Sequence, residues 1–396
     1  MPDEAEVKML DTSSLEGLRP EHELLLALSR PRLGVDERKR IRLFLTTHSE
    51  AIEWGVFIDQ ACRHMVMPLV ARHLTQFRLT LSDEGKPLVP YRWLYTEAYE
   101  GSRRRNLVLA SEYARVLHAL NDSAVRYLIR KGPVLGEHFY HDLAARRISN
   151  LDVFMQRADY PLLQQVLADL GYQVGELTPN GSRIVPFDRR TELYWKVNLT
   201  NTSLPHARVG DHDTVESYLV STMFSLFQPM LGIRDDADEV LDASVATTLY
   251  GVPARMLHLA DQLLDSCFQI HLRATLFYYI ESGKDLLVRN FLDLVHLLMK
   301  ATPDCIEEFR GRVEKFDLTK SAYYSLHFTR QLYPDLVPER LVESFRPADT
   351  SYLEEYGAFD GDRYTWNRRF AERLFDPRRR AEVAGRSKVP GPRSMI

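Results

Sequence analysis

Cysteine is scarce in this chain, and the three present, Cys62, Cys267 and Cys305, lie far apart. Their odd number and wide spacing exclude a disulfide framework and a paired-cysteine metal motif. They read as reduced core thiols. Long hydrophobic runs are missing too. No stretch approaches the roughly 18 consecutive apolar residues of a membrane-spanning helix, so no membrane partner is expected. An excess of one charge is also lacking. The formal net charge is −4 over 396 residues, so no nucleic-acid partner is expected and bulk charge gives no argument for a membrane surface. Met1 to Leu10 carries Asp3, Glu4, Glu6 and Lys8 but no apolar centre. It reads as a polar start rather than a secretory signal, and a cytoplasmic location is expected. No internal repeat, P-loop, zinc-finger spacing or serine-hydrolase motif is found.

What is present is an ordinary globular balance, 45% apolar and 27% charged. The length is enough for about two or three domains. Residues 1–18 are polar and expected to be flexible. Residues 19–120 read as a helical region. Leu24, Leu25, Leu26 and Leu28 form one broad face, and Asp36 is placed to cap a helix through Thr47. Ser49 to Thr75 has three- and four-residue apolar spacing, which Pro68 kinks or splits. Leu88 to Ala119 reads as one long helix. His64 beside Met65 and Met67 fits core packing better than a metal site.

At Asn121-Asp122 the period changes from helical to alternating. Val125 to Arg130 reads as a strand, Val134 to Tyr140 as helix, and Ile148 to Met155 as a second strand. Tyr160 to Leu170 is a helix closed by Gly171. Tyr172 to Leu177, Arg183 to Phe187 and Glu192 to Asn198 read as three further strands, the first two joined by a Pro179-Asn180-Gly181 turn. Residues 199–252 hold an apolar segment (Leu219 to Leu231), an acidic run (Asp235, Asp236, Asp238, Glu239) read as a solvated loop, and a hairpin around Tyr250-Gly251. The 121–252 region is therefore expected to be a mixed sheet with helices on one side, and the whole chain an α+β protein. Residues 253–345 return to helical periodicity. Residues 346–396 read as an extended basic tail, with Arg378, Arg379, Arg380, Arg386, Lys388 and Arg393 solvated.

The stretch from Leu128 to Trp195 concentrates the chemistry. Strand residues at i and i+2 share a face, so Asn150 and Asp152 point the same way. A later acid, Glu192, is placed on a neighbouring strand by its Glu192-Leu193-Tyr194-Trp195 context. Lys131-Gly132 ends a strand just before a helix, where backbone N–H groups can meet phosphate. Arg146 adds positive charge. Two carboxylates on one strand and a third on the next would clamp divalent ions for phosphoryl or nucleotidyl transfer. Read alone, the residues also fit a plainer account, in which Lys131 and Arg146 are solvated loop charges and Asp152 pairs with a nearby arginine.

The combination Arg130-Lys131-Gly132, Arg146, Ser149-Asn150-Leu151-Asp152-Val153 and Glu192-Leu193-Tyr194-Trp195 resembles nucleotidyltransferase family proteins of the DNA polymerase β-like superfamily. The segments around Trp54, Ala61, His64 and Pro68-Leu69, and around Arg289 and Asp293-Leu294, are similar to that family too. The resemblance spans roughly 20–335. It implies a nucleotidyltransferase-type mixed sheet flanked by helical regions. It also implies Mg2+ (or Mn2+) held by Asn150, Asp152 and Glu192, an NTP received by Lys131, Gly132, Arg146 and Tyr194, and NMP transfer to an unknown small-molecule or protein acceptor. The sequence departs from the family pattern twice. Asn150 stands where the family has the first metal-binding aspartate, and Tyr194 where it has histidine. An attenuated enzyme is therefore expected, alongside two alternatives: a non-catalytic nucleotide- or partner-binding descendant, and another use of the scaffold, such as kinase- or ligase-like chemistry or helical protein interaction.

Overall fold

The structure is a computed structural model and describes residue 15 and residues 17–228 and 232–387. It begins with five helices: α1 (Pro20–Leu28), α2 (Val35–His48), α3 (Trp54–Arg63), α4 (Met67–Gln76) and α5 (Arg92–Asn121). Pro68 does split the third helical segment. Met65 turns the chain with a φ of 59°, and Pro68 sits in the first turn of α4, where its missing N–H costs nothing. His64 is fully buried, and desolvation holds its imidazole well below its usual range. Its Nδ1 accepts from the Val288 N–H at 3.3 Å.

The sheet follows. Strands β1 (Tyr127–Arg130) and β2 (Leu151–Met155) are separated by a short helix, α6 (Gly132–Leu135), and a π turn over Gly136–Tyr140. After α7 (Tyr160–Asp169) come β3 (Gln173–Val174) and a small hairpin of β4 (Glu176–Leu177) and β5 (Ile184–Val185), turning through Gly181. Helix α8 (Arg189–Asn198) precedes β6 (His206–His212) and β7 (Val215–Met223). Helix α9 (Ala237–Asp242) precedes the hairpin β8 (Val245–Leu249) and β9 (Val252–Met256). Tyr250 and Gly251 turn that hairpin with φ of 54° and 78°, both positive as a tight hairpin of the primed type requires. The strand order is β3-β6-β7-β2-β1-β9-β8. β1 runs antiparallel to β2, while β2 with β7 and β1 with β9 are parallel. This mixed sheet with flanking helices is the α+β class. Every residue of β1 and β2 is buried, so the middle of the sheet is covered on both faces.

The remaining helices are α10 (Leu259–Thr275), α11 (Phe277–Ser282), α12 (Val288–Leu298), α13 (Pro303–Lys315), α14 (Thr319–Leu332) and α15 (Glu339–Glu343). The Thr302 hydroxyl caps α13 by accepting from the Cys305 N–H. One apolar core runs from Leu24 of α1 through the sheet to Leu374. The first and last parts of the chain meet directly: His22 stacks on Phe375 with ring centroids 4.1 Å apart, and Gln60 donates to the Phe375 carbonyl.

The tail corrects the sequence reading. Residues 346–387 are folded rather than extended. They form the paired strands β10 (Glu355–Tyr356) and β11 (Tyr364–Thr365), helix α16 (Phe370–Phe375) and a 3-10 helix over Pro377–Val383. Tyr356, Trp366 and Val383 close a second apolar cluster with Phe277 and Ile280. The basic composition hid two structural arginines. Arg373 pairs with Glu354, and Arg379 makes two hydrogen bonds to Asp285, at 2.8 and 2.7 Å, with both partners nearly inaccessible. Lys388 and Arg393 lie outside the described residues. A buried pair that loses one member leaves an uncompensated charge. Asp285→Ala should therefore lower unfolding stability by about 3–5 kcal/mol in urea. A loss under about 1 kcal/mol would mean that Arg379 is not docked as described.

Candidate functional site

Three adjacent strands converge on Asp152. On β1 the residue opposite it is Arg130, and on β7 it is Ser221. Asn150 lies one residue before β2 and shares the Asp152 face by strand alternation. Its amide nitrogen donates to Asp152 Oδ1 at 2.8 Å and to Ser221 Oγ at 3.0 Å. Its Oδ1 accepts from Ser149 Oγ at 2.8 Å. Asn150 thus satisfies its side chain within the site and links both strands to the one carboxylate.

The turn leaving β1 is strained. Lys131 holds φ 55° and ψ −123°, a conformation that a side chain disfavours and that costs on the order of 1–3 kcal/mol. Gly132 follows because the space beside it is taken: a Cβ there would stand 3.0 Å from Arg146 Nη1. Arg146 is held from behind. Its Nε and Nη2 donate to the two oxygens of Asp293 on α12, each at 2.8 Å, and the Tyr140 hydroxyl also donates to Asp293 at 2.8 Å. Burial opposes the Asp293 charge, yet Arg146 outweighs it and keeps the carboxyl below its usual range. A second buried pair joins Arg130 to Asp265 of α10. Burial again opposes ionisation, and Arg130 with Lys131 keeps Asp265 charged.

These groups line one cavity between the sheet and helices α10 and α12. Its charged lining is Arg130, Lys131, Arg146, Arg273 and Arg289 against Asp152, Asp265 and Asp293. Two of the acids are matched by Arg130 and Arg146. Among the described residues, no salt bridge ties up Lys131, Arg273 or Arg289. Nε of Arg273 and Nε of Arg289 are buried without a hydrogen-bond partner. Burial, with Arg146 beside it, pushes the Arg289 guanidinium down to about 10. Burial, with Arg130 beside it, pushes the Lys131 ammonium down to about 8. Ser149, Gln262, Ser266, Gln269 and Asn290 add neutral polar groups. A cavity with spare cations and neutral donors suits a multiply charged anion.

Lys131, Gly132, Arg146, Asn150 and Asp152 are thus brought together as the sequence suggested. Glu192 and Tyr194 are not. The segment expected to be a strand is helix α8, whose start is capped by Asp188 accepting from the Thr191 N–H at 2.8 Å. An aspartate able to accept from the N–H three residues on is a helix-start signal, and it outweighs the short alternation of Glu192 to Trp195. Glu192 is exposed on α8 and does not line the cavity. Tyr194 lines a separate surface groove with Arg189, Leu193 and Val197. Asp293 pairs across to Arg146 in the sheet region.

Ser221, Arg273 and the cavity role of Arg289 emerge only from the structure. Ser221 lies in an apolar segment whose strand register is invisible without its partner. Arg273 and Arg289 look like ordinary helix-surface charges in the sequence.

The donor set bears on divalent ions. A two-ion cage needs several acidic oxygens on one face. Here both strands beside β2 place a non-acid opposite Asp152, and Asn150 turns N–H, not oxygen, toward it. Among the described residues, no three His, Cys, Asp or Glu side chains gather as a metal-holding group. The residues present do not fit a two-ion carboxylate cage.

A family model described as an uncharacterised nucleotidyltransferase matches residues 50–334 of the chain. No curated protein matches it.

The Lys131 ammonium has a testable consequence. Its pKa is about 8 in the folded protein against 10.5 in the unfolded chain, so the unfolded chain binds more protons between those values. Stability then rises with pH across that window, and the penalty is complete below about 8. Lys131→Met should be more stable than the wild type at pH 7, with the gap shrinking as pH climbs from 8 toward 10 in matched thermal melts. A gap that does not depend on pH would contradict the lowered pKa of the Lys131 ammonium.

Proposed function

The chain belongs to this uncharacterised nucleotidyltransferase family, since the match covers well over half its length, and from that premise we propose that its cavity receives the triphosphate of an NTP at a site with attenuated NMP transfer. The observation that carries this reading is the convergence of Lys131, Arg146, Arg273 and Arg289 on the Asp152 face within one cavity. Nucleotidyl transfer asks a protein mainly to position the phosphates and neutralise charge. The strained Lys131-Gly132 turn brings backbone close to a phosphate, and Arg146 is oriented by Asp293 before ligand arrives. Asp152 is the one lining acid outside an arginine pair, and so the group able to accept a proton from an attacking hydroxyl. The acceptor, a small molecule or a protein, would enter from the open side of the same cavity.

Attenuation follows from Asn150 and Ser221. With neither able to carry charge, proton acceptance and charge balance rest on Asp152 alone. A non-catalytic nucleotide-binding descendant is the second reading, favoured by the closed hydrogen-bond set of Asn150 with Asp152 and Ser221.

Incubation with each labelled NTP, Mg2+ or Mn2+, and a metabolite extract separates the two. Slow label transfer with pyrophosphate release, lowered about 10²–10⁴-fold by Asp152→Ala, supports the attenuated enzyme. NTP binding with no transfer under any condition supports the non-catalytic reading. If transfer occurs and Asp152→Ala leaves its rate unchanged, the site is misassigned. Arg273→Met should weaken ATP binding by about tenfold, the effect of losing one charge-assisted contact of about 1.4 kcal/mol.

A further inference from the structure

Carboxylate cages depend on their metal ions. Without them, acids crowded on one face repel each other and repel phosphate. The Asp152 face is arranged the other way. At the two positions that would bring a second and third acid beside Asp152, the chain has Asn150 and Ser221, and Asn150 hydrogen-bonds to both neighbours. The face is therefore satisfied with no ion in it. Charge of the opposite sign is supplied instead by fixed side chains: five cations against three carboxylates line the cavity, and two of those carboxylates are spent on Arg130 and Arg146. The surplus lies with Lys131, Arg273 and Arg289, two of which have a buried Nε lacking any acceptor.

We infer that this site binds a phosphate chain directly through its own cations, without a divalent ion, and that Mg2+ opposes the binding. The inference rests on the nucleotide reading above and specifies the ionic form of the ligand. A bare triphosphate brings about four negative charges, and its Mg2+ complex about two. A cavity with surplus positive charge attracts the first more strongly and offers the ion of the second a single unpaired carboxylate, Asp152. Arg273 and Arg289 project from α10 and α12, the helices facing the strand carrying Asp152. They can neutralise the far side of the chain while the Lys131-Gly132 turn takes the near side. The three positions also explain why Asn150 is tolerated: with no ion to share, a second aspartate 2.8 Å from Asp152 would be unfavourable.

The test is calorimetric titration of the full chain with ATP, inorganic tripolyphosphate and AMP, each in EDTA and in excess Mg2+. The expected result is that ATP and tripolyphosphate bind in EDTA and bind about tenfold more weakly in Mg2+, with AMP weak in both. Binding of ATP only when Mg2+ is present overturns this inference and leaves the nucleotide reading standing. AMP binding as tightly as ATP overturns it as well, because the phosphate chain would not be the recognised part. Binding of ATP in neither condition removes the nucleotide reading itself. The variant Asn150→Asp/Ser221→Asp should reverse the preference, with ATP binding lost in EDTA and restored by Mg2+. A correctly folded double variant that still prefers EDTA also counts against the proposal.

Discussion

The buried contact between Arg146 and Asp293 is the constraint on which the site depends. It joins the loop before β2 to helix α12, two parts of the chain 147 residues apart. Two parallel hydrogen bonds fix the plane of the guanidinium, and Tyr140 fixes the carboxylate from the other side. Gly132 must then be glycine-small, because Arg146 Nη1 occupies the space beside it. Through that contact the position of a C-terminal helix is transmitted to the turn that ends β1. The Lys131 backbone, held in an unfavourable region, is one result. Such a conformation persists only where the surroundings over-determine it, and here the surroundings are Arg146 and the end of a fully buried strand.

Charge organises the remainder. The chain buries several arginines: Arg130, Arg146 and Arg379 are each matched by a carboxylate from a distant segment, and Arg373 by Glu354 within the folded tail. Pairing of this kind stitches the helical regions, the sheet and the folded tail around one core, where an unpaired charge would be costly. The cavity breaks the pattern. Lys131, Arg273 and Arg289 face it with no salt bridge among the described residues, and Asn150, just before the acid-bearing strand, stands in place of a second carboxylate. A surplus of cations is unfavourable in an empty cavity and favourable once an anion fills it, so the imbalance itself points toward a ligand.

Local rules served well where local chemistry decides. Pro68 sits at the start of a new helix because proline fits only a first turn. Tyr250-Gly251 turns a hairpin because both positions take positive φ. Asn150 and Asp152 share a face because strand side chains alternate. Those rules gave way where two local signals compete or where the partner is remote. Glu192 to Trp195 alternates like a strand, but Asp188 caps a helix there. The arginine-rich tail has the composition of a solvated segment, and only their partners, Asp285 from far earlier in the sequence for Arg379 and Glu354 for Arg373, reveal that these arginines are interior.

Residue order along the chain was enough to establish the α+β class, the turn at Lys131-Gly132 and the shared face of Asn150 and Asp152, because each follows from torsion angles and side-chain periodicity over a few residues. The tertiary structure alone decided that Ser221 rather than Glu192 stands opposite Asp152, that Arg146 is held by Asp293, and that Arg273 and Arg289 turn toward the same cavity. Strand register and helix packing bring those groups together across 70 or more residues, and burial then sets which charges are paired and which are left to meet a ligand.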